Sequence, residues 1–100
     1  MKQKKPTQLN DALKSYLRNT DVGERIEEAS VVPEWAERVG PAIAAVTVPL
    51  RVNHGTLFVG VRSSSWLMEL SMMEAEIIRR LNADRPRGRI SKIRFQMLGE

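Results

Sequence analysis

The clearest chemical pattern in this sequence is a group of cations near its C-terminal end. The group consists of Arg85, Arg87, Arg89, Lys92 and Arg94, spread over a turn rich in charge and the strand predicted after it. Arginine forms forked hydrogen bonds to phosphate oxygens, so such a group is typical of polyanion binding. We predict nucleic-acid contact at these five residues. The alternative is that they protect an exposed edge strand from pairing with another chain.

A second basic group lies at the other end of the chain, where Lys2, Lys4 and Lys5 fall within a predicted flexible basic arm, residues 1–7. The net charge is +4, and 11 of the 16 cations are arginine. We predict that these lysines also contact phosphates. Such contacts give a salt-dependent, sequence-tolerant affinity, and no predicted helix has the pattern of a base-reading element.

The composition argues against an enzyme. There is no cysteine, so a thiolate metal site and a thiol nucleophile are excluded. His54 is the only histidine and is predicted to be a turn residue. The glycine spacing fits neither a dinucleotide fingerprint nor a P-loop, and no two glycines are three residues apart. We therefore expect no catalytic residue, no metal and no cofactor.

Five carboxylates recur at helical spacing in the first half of the chain. They are Glu24, Glu27, Glu28, Glu34 and Glu37. We expect a solvated helix face, because no apolar surroundings are predicted that would shift a pKa. That face could still dock a basic partner surface.

Alternating residues over 46–62 predict a β-hairpin. Val46, Val48, Leu50 and Val52 in the first arm, and Leu57, Val59 and Val61 in the second, are expected to form one buried face. Gly55 lies in the turn between the arms, where positive φ is needed.

A serine-capped helix and a third strand follow the hairpin. Ser63 and its two serine neighbours are expected to cap a helix running from about Trp66 to Ala83. Its apolar stripe, which should lie on the sheet, comprises Trp66, Leu70, Met73, Ile77 and Leu81. Residues 90–97 then predict a strand with a cationic outer side.

Helices are predicted before the hairpin. The first carries Leu9, Leu13 and Leu17, a second covers roughly residues 22–30, and a third begins near Pro33 and is broken at Gly40-Pro41. Trp35 and Trp66 could stack on bases, but each begins an apolar stripe, which favours core packing.

The length of 100 residues supports one domain, residues 8–100, behind the basic arm. No apolar run approaches the ~20 residues that a membrane span requires. The absence of cysteine suits a reducing compartment. We expect a cytoplasmic protein of the α+β class, with association with the nucleoid as a further expectation.

Five blocks of this sequence, taken in order, resemble the DciA family of bacterial proteins. The blocks are W-x-x-x-V-G-P-x-I-A at 35–44, P-L-R-V-x-x-G-x-L-x-V-x-V at 49–61, S-S-x-W-x-x-E-L at 63–70, L-N at 81–82 and I-x-x-I-R-F at 90–95. The sequence departs from the family pattern at Val46-Thr47, where a polar pair is expected.

The resemblance implies a KH-like domain that contacts the replicative DNA helicase and DNA and hydrolyses no nucleotide itself. The nucleic-acid clamp of KH domains is a GXXG loop. This chain has none, so any contact with DNA must come from cations elsewhere. We place the helicase contact on the hairpin and capped-helix surface, at Phe58, Arg62 and Glu69. Phe58 alternates out of phase with the buried valines, so it either packs under the N-terminal helices or is exposed for a partner.

The resulting hypothesis is a non-enzymatic accessory factor of bacterial DNA replication. It would bind the replicative helicase and DNA, single-stranded or forked, and assist helicase loading. Two alternatives stay open at this point: an RNA-binding KH-like module, and an adaptor that binds protein only and whose basic ends aid solubility.

Overall fold

The computed structural model describes residues 21–99, so the basic arm and the first predicted helix lie outside the described residues. The described residues form the expected α+β fold, with helices ahead of a three-stranded sheet. In chain order the elements are α1 (Asp21–Ala29), α2 (Val31–Val39), α3 (Pro41–Ala44), β1 (Thr47–Asn53), β2 (Thr56–Val61), α4 (Ser64–Met72), α5 (Glu74–Asn82) and β3 (Lys92–Met97).

The sheet has β2 at its centre, with β1 antiparallel on one side and β3 parallel on the other. The hairpin turn is His54-Gly55, and both residues have positive φ, 50° and 81°. This is the pattern of a type I′ turn, whose twist matches that of the flanking strands. Parallel strands need a crossover connection, which α4 and α5 supply. The predicted hairpin and third strand are confirmed.

The first arm of the hairpin contains a β-bulge. The pairing register shifts between Pro49 and Arg51, which makes Leu50 an extra residue. Thr47 and Pro49 therefore share the inward face before the bulge, and Val52 shares it afterwards. The prediction of one buried face shared by Val46, Val48, Leu50 and Val52 is wrong, because a single extra residue reverses the alternation.

The helices before the sheet begin and end close to the predicted positions. α2 begins at Val31, so Pro33 lies within its first turn rather than at its first position. Gly40 has a φ of 93° and ends α2, and α3 begins at Pro41. The predicted break at Gly40-Pro41 is thus confirmed.

Trp35 is a core residue and is 2% exposed. Its indole Nε1–H donates to Thr47 Oγ1 at 2.9 Å, and that hydroxyl donates to the Ile43 carbonyl oxygen at 2.7 Å. The polar end of the buried indole is therefore satisfied, and α2 is joined to the start of β1. Trp66 is partly buried and packs against the same core.

The helical stretch after the hairpin is capped as predicted but is not one helix. Ser63 Oγ accepts the Trp66 N–H at 3.2 Å. α4 ends at Met72, Met73 has φ −99° and ψ 9°, and α5 begins at Glu74. The expectation of a single helix to Ala83 is therefore wrong.

The apolar stripe nevertheless lies on the sheet, because both helices turn the same side inward. Leu70, Ile77 and Leu81 are fully buried. The buried apolar residues form one cluster: Val31, Trp35, Val39, Ile43, Leu57, Val59, Val61, Leu70, Ile77, Leu81, Ile90 and Ile93.

Asn82 closes the connection between α5 and β3. Its Nδ2–H donates to the Ile90 carbonyl oxygen and its Oδ1 accepts the Ile90 N–H, both at 2.8 Å. The side chain is buried, and it pairs with the backbone of Ile90 as a neighbouring strand would. Both polar groups of a buried backbone unit are thereby satisfied.

The guanidinium of Arg85 holds the same connection against α1 and α2. Its side chain is 7% exposed. It donates to the Glu27 carbonyl oxygen at 2.6 Å, to Ser30 Oγ at 3.0 Å and to Glu34 Oε1 at 2.8 Å. A buried cation needs several acceptors, and Arg85 finds them at the junction between two helices.

The acidic face of α1 is contacted by the same connection. Glu24 accepts the Gly88 N–H at 2.8 Å and lies 3.3 Å from Arg87 Nε. A Cβ atom on Gly88 would come within 2.6 Å of the Glu27 backbone, so only glycine fits there. The Glu24 and Glu27 side chains stay 43% and 40% exposed, as expected of a solvated face, but they pair with a basic segment of the same chain. Glu28 departs from the expectation, because it is buried.

Replacing Asn82 with alanine should lower the free energy of unfolding by about 2–4 kcal/mol, since two buried backbone groups of Ile90 would lose their partners. Urea unfolding followed by circular dichroism measures this. The exposed amide of Gln96 provides the control, and Gln96→Ala should change stability by less than about 0.5 kcal/mol. Equal unfolding midpoints for the two variants would contradict this role of Asn82.

Replacing Arg85 with methionine should also destabilise the domain, by about 2–3 kcal/mol, because the carboxylate of Glu34 and the acceptors on α1 lose a charged donor. Arg89→Met removes an exposed cation from the same connection and should cost less than about 0.5 kcal/mol. Thermal and urea unfolding of both variants provide the comparison. If Arg89→Met is the more damaging change, the assignment of Arg85 is incorrect.

Candidate nucleic-acid interface

The five cations predicted near the C-terminal end fall into two groups in the structure. Arg85 is buried and Arg87 is partly buried, whereas Arg89, Lys92 and Arg94 are exposed. The buried pair contacts α1 and α2. The three exposed cations lie at the end of the connection and along β3, an edge strand. Lys2, Lys4 and Lys5 lie outside the described residues.

Arg87 is engaged by the acidic face of α1. Its Nε lies 3.3 Å from Glu24 Oε1 and 3.5 Å from Glu27 Oε1. Both carboxylates belong to the face that the sequence places in solvent. The charge of Arg87 is therefore largely balanced within the domain, and a phosphate would have to compete with two carboxylates for it.

Arginines on the helices are also used internally. Arg38 Nη1 donates to the Ala83 carbonyl oxygen at 2.6 Å, beyond the last turn of α5, where carbonyl groups lack helical partners. Arg79 and Arg80 both contact Glu76. Their hydrogen bonds lower the pKa of the Glu76 carboxyl, Arg79 being the larger cause. These cations stabilise helix ends and surface pairs.

A cavity of about 200 Å³ opens between α1, α2 and the α5–β3 connection. The lining residues are Glu27, Ser30, Glu34, Arg38, Asp84, Arg85, Pro86 and Arg87. The Arg85 guanidinium spans it to reach Ser30 and Glu34. Its arginines are thus paired with Glu27 and Glu34, and the cavity belongs to the packing of this connection.

A different set of cations lies on the face of the sheet opposite the core, called here the outer face. In the strand register Arg51 of β1 pairs with Phe58 of β2, and Phe58 pairs with Arg94 of β3. The guanidinium carbon of Arg51 lies 4.1 Å from the centroid of the Phe58 ring. An aromatic ring thus stands between two arginines across the sheet.

Arg51, Phe58 and Arg94 form a row across the sheet, and other side chains of the same face border it. Lys92 pairs with Thr56 on one side of it, and Gln96 pairs with Gly60 on the other. The side chain of Leu98 lies directly over Gly60, where it would collide with any Cβ atom. The outer face therefore combines exposed cations with an apolar centre.

The exposed cations of the sheet and its flanks take no part in the ion pairs of the described residues, and neither does Arg25 on α1. The cations of the sheet and its flanks are Arg51, Arg62, Arg89, Lys92 and Arg94. An anion from outside can meet these five charges without displacing a carboxylate.

Sequence reasoning did not identify Arg51 as a site residue. Counting back from the two-residue turn would have paired Arg51 with Phe58, because a tight turn fixes the register beside it. The pairing of Arg94 with Phe58 could not be predicted by the same counting. β3 is parallel to β2 and is separated from it by two helices, so only the fold sets that register.

The residues predicted to bind a protein partner lie in different layers. Phe58 is on the outer face, which excludes packing under the described N-terminal helices, and the exposed Arg62 follows β2 directly. Glu69 is exposed on α4, whose Leu70 is buried in the core on the other side of the sheet. The structure therefore does not bring Phe58 and Glu69 onto one face of the sheet.

The solvent side of α4 carries apolar groups. Met68 and Met72 are 70% and 76% exposed. The same helix lines a shallow cavity of about 150 Å³ with Ser65, Trp66 and Glu69. Exposed methionines are common at protein-binding surfaces because their side chains are flexible and polarizable.

Two negative findings apply to the described part of the chain. Within residues 21–99, no three His, Asp or Glu side chains are grouped so that they could hold a metal ion. No helix in that range is long and apolar enough to cross a bilayer. His54 lies in the hairpin turn, as predicted.

Comparison with known proteins identifies relatives of this chain. Similar proteins are the UPF0232 proteins of Rhodococcus jostii (strain RHA1), 30% identical over 71 residues, and of Mycobacterium leprae (strain TN), 28% identical over the same length. Each match covers 71% of this chain and 38% of the relative. The UPF0232 protein of Mycobacterium tuberculosis (strain CDC 1551 / Oshkosh) is 28% identical over 78 residues, 78% of this chain and 42% of its own.

The chain therefore spans less than half the length of these relatives. A family model described as "Dna[CI] antecedent, DciA" matches residues 8–95. That range includes every described helix and the hairpin, and it reaches Phe95 in β3. It also contains the five sequence blocks on which the resemblance rests. The chain belongs to the DciA family.

Proposed function

We propose that this chain is a non-enzymatic accessory factor of bacterial DNA replication that binds the replicative DNA helicase and DNA and assists helicase loading. Membership of the DciA family, over residues 8–95, is the observation that carries this proposal. The layout of charge supports the DNA contact separately. Exposed cations without carboxylate partners are concentrated on the sheet and its flanks.

The DNA contact is assigned to the outer face and its edge. Arg51, Lys92 and Arg94 lie on the strands, and Arg62 and Arg89 lie on the segments beside them. Arg85 and Arg87 are left out of this surface because their guanidinium groups serve the packing of the α5–β3 connection. Lys2, Lys4 and Lys5 are proposed as additional phosphate contacts.

The helicase contact is assigned to the solvent side of α4. This helix carries the exposed methionines Met68 and Met72, and it lines the cavity bordered by Glu69 and Trp66. Apolar side chains that are buried on association supply most of the binding free energy of a protein interface. The DNA and helicase surfaces then lie on opposite layers of the domain, so both partners can bind together. Phe58 and Arg62, which the sequence analysis predicts as helicase contacts, lie on or beside the outer face. We therefore assign them to the DNA surface and keep Glu69 for the helicase.

Any effect on the helicase must arise from differential binding. The sequence has no P-loop, so we propose no nucleotide hydrolysis by this chain. A protein that binds one conformation of its partner more tightly shifts the population toward that conformation. We propose that this chain favours a state of the helicase that can admit a DNA strand.

Binding of single-stranded DNA should weaken steeply with salt, with a slope of log K against log salt of about −0.7 for each phosphate contact. Removing two outer-face cations, Lys92→Gln with Arg94→Gln, should reduce affinity on the order of tenfold and make the slope shallower. Fluorescence anisotropy at several salt concentrations measures both quantities.

The matched control removes the same charge elsewhere. Arg79→Gln with Arg80→Gln takes two cations from α5, where Glu76 engages them, and should have a much smaller effect. Competition with RNA of equal length tests the RNA-binding alternative, which a large RNA preference would support. Absence of binding even at low salt would favour the protein-only adaptor.

Capture of the purified replicative helicase should depend on α4. Met68→Ser with Met72→Ser should weaken capture at least about tenfold, since truncating central interface residues typically costs more than 1 kcal/mol each. Ile26→Ser is the matched control, because Ile26 is also an exposed apolar residue, 55% exposed on α1. Equal capture of the helicase by the methionine variant and by Ile26→Ser would reject α4 as the contact surface. If the unaltered chain captures no helicase, the helicase is rejected as a partner.

A further inference from the structure

The row formed by Arg51, Phe58 and Arg94 has features that phosphate binding alone does not require. Phe58 is partly buried on the face of the sheet that carries polar side chains, so it contributes nothing to the core cluster. The Arg51 guanidinium lies over its ring at 4.1 Å. The two side chains together present planar, polarizable surface to solvent at the centre of the sheet.

The electrostatic setting of this row favours an anionic ligand. The three strands carry the cations Arg51, Lys92 and Arg94 and not one Asp or Glu. Arg51 and Arg94 are in register with the same ring from the two neighbouring strands, and no carboxylate on the three strands offsets their charge. The row is therefore suited to a ligand that brings both negative charge and a flat ring.

An apolar border limits where such a ring can lie. Gly60 follows Phe58 two residues later on the same face, and the Leu98 side chain covers it. Val48 pairs with Gly60 from the neighbouring strand and is partly buried. The space above Phe58 is thus bounded by apolar groups toward Leu98, while Lys92 extends the positive charge in the other direction.

We propose that the outer face binds single-stranded DNA by stacking an unpaired base against the Arg51–Phe58 pair, with the adjoining phosphates held by Arg94 and Lys92. The proposal rests on the DNA binding proposed above and specifies which form of DNA is bound and how. Bases in a duplex are already stacked on their neighbours and cannot reach a side chain in a sheet. A phenyl ring offers no hydrogen bonds, so the contact tolerates any base sequence.

The test separates base stacking from phosphate contact. The affinity of the full chain is measured for a thymidine oligonucleotide and for an abasic deoxyribose-phosphate strand of the same length. The unaltered chain should prefer the strand with bases by about tenfold, the size of one stacking contact. Phe58→Leu should abolish that preference and leave the salt slope unchanged. Phe58→Tyr retains a ring and should restore the preference.

Fluorescence gives an independent readout. A strand with 2-aminopurine in place of one base should show a change in emission on binding to the unaltered chain and to Phe58→Tyr, but not to Phe58→Leu. Circular dichroism and urea unfolding of Phe58→Leu establish that the variant is folded before its binding is interpreted.

The outcomes distinguish this inference from the function on which it rests. Equal affinity for the abasic strand, or an unchanged base preference in Phe58→Leu, overturns the stacking site while salt-dependent DNA binding stands. If the unaltered chain binds no DNA even at low salt, both the stacking site and the proposed DNA-binding function are overturned. Tighter binding to duplex DNA, or to RNA of equal length, overturns the assignment to single-stranded DNA.

Discussion

The structure depends on how one buried cation is satisfied. The Arg85 guanidinium lies inside the domain and is held by acceptors from α1 and α2, among them the Glu34 carboxylate at 2.8 Å. Desolvation makes an unpaired buried charge very costly, so these acceptors must stay in place. Together with the amide of Asn82, Arg85 fixes the path from the end of α5 to the start of β3. The parallel pairing of β3 with β2 follows from that path.

This arrangement divides the positive charges of the domain into two classes. One class, Arg38, Arg79, Arg80, Arg85 and Arg87, contacts carboxylates of the same chain, and Arg87 between Glu24 and Glu27 is a clear case. Cations on the outer face contact a ring or project into solvent. Net charge alone would not reveal this division, because each cation adds one positive charge whether or not it has a partner in the chain. At the described cations of the sheet, a polyanion would not have to displace a carboxylate.

The same geometry separates the proposed partners. Within residues 21–99, the helices α2, α4 and α5 cover one face of the sheet with apolar side chains, and they leave the outer face and the far side of α4 exposed. The β-bulge at Leu50 shapes the open face, because it sets Arg51 opposite Phe58 while Thr47 still points inward to meet Trp35. A small domain can thus present two chemically different surfaces, one positive with an aromatic centre and one apolar.

The sequence by itself determined the hairpin, the Ser63 cap, the break at Gly40-Pro41 and the core role of Trp35, because each depends on neighbours a few residues away. It also determined the family, through the order of five short blocks. Tertiary structure alone decided that Arg85 is buried while Arg94 is exposed, that Glu24 and Glu27 pair with Arg87, and that Arg51, Phe58 and Arg94 form a row. The bulge at Leu50 and the break at Met73 likewise escaped the periodic pattern. These features depend on contacts between segments far apart in the chain, for which local spacing carries no signal.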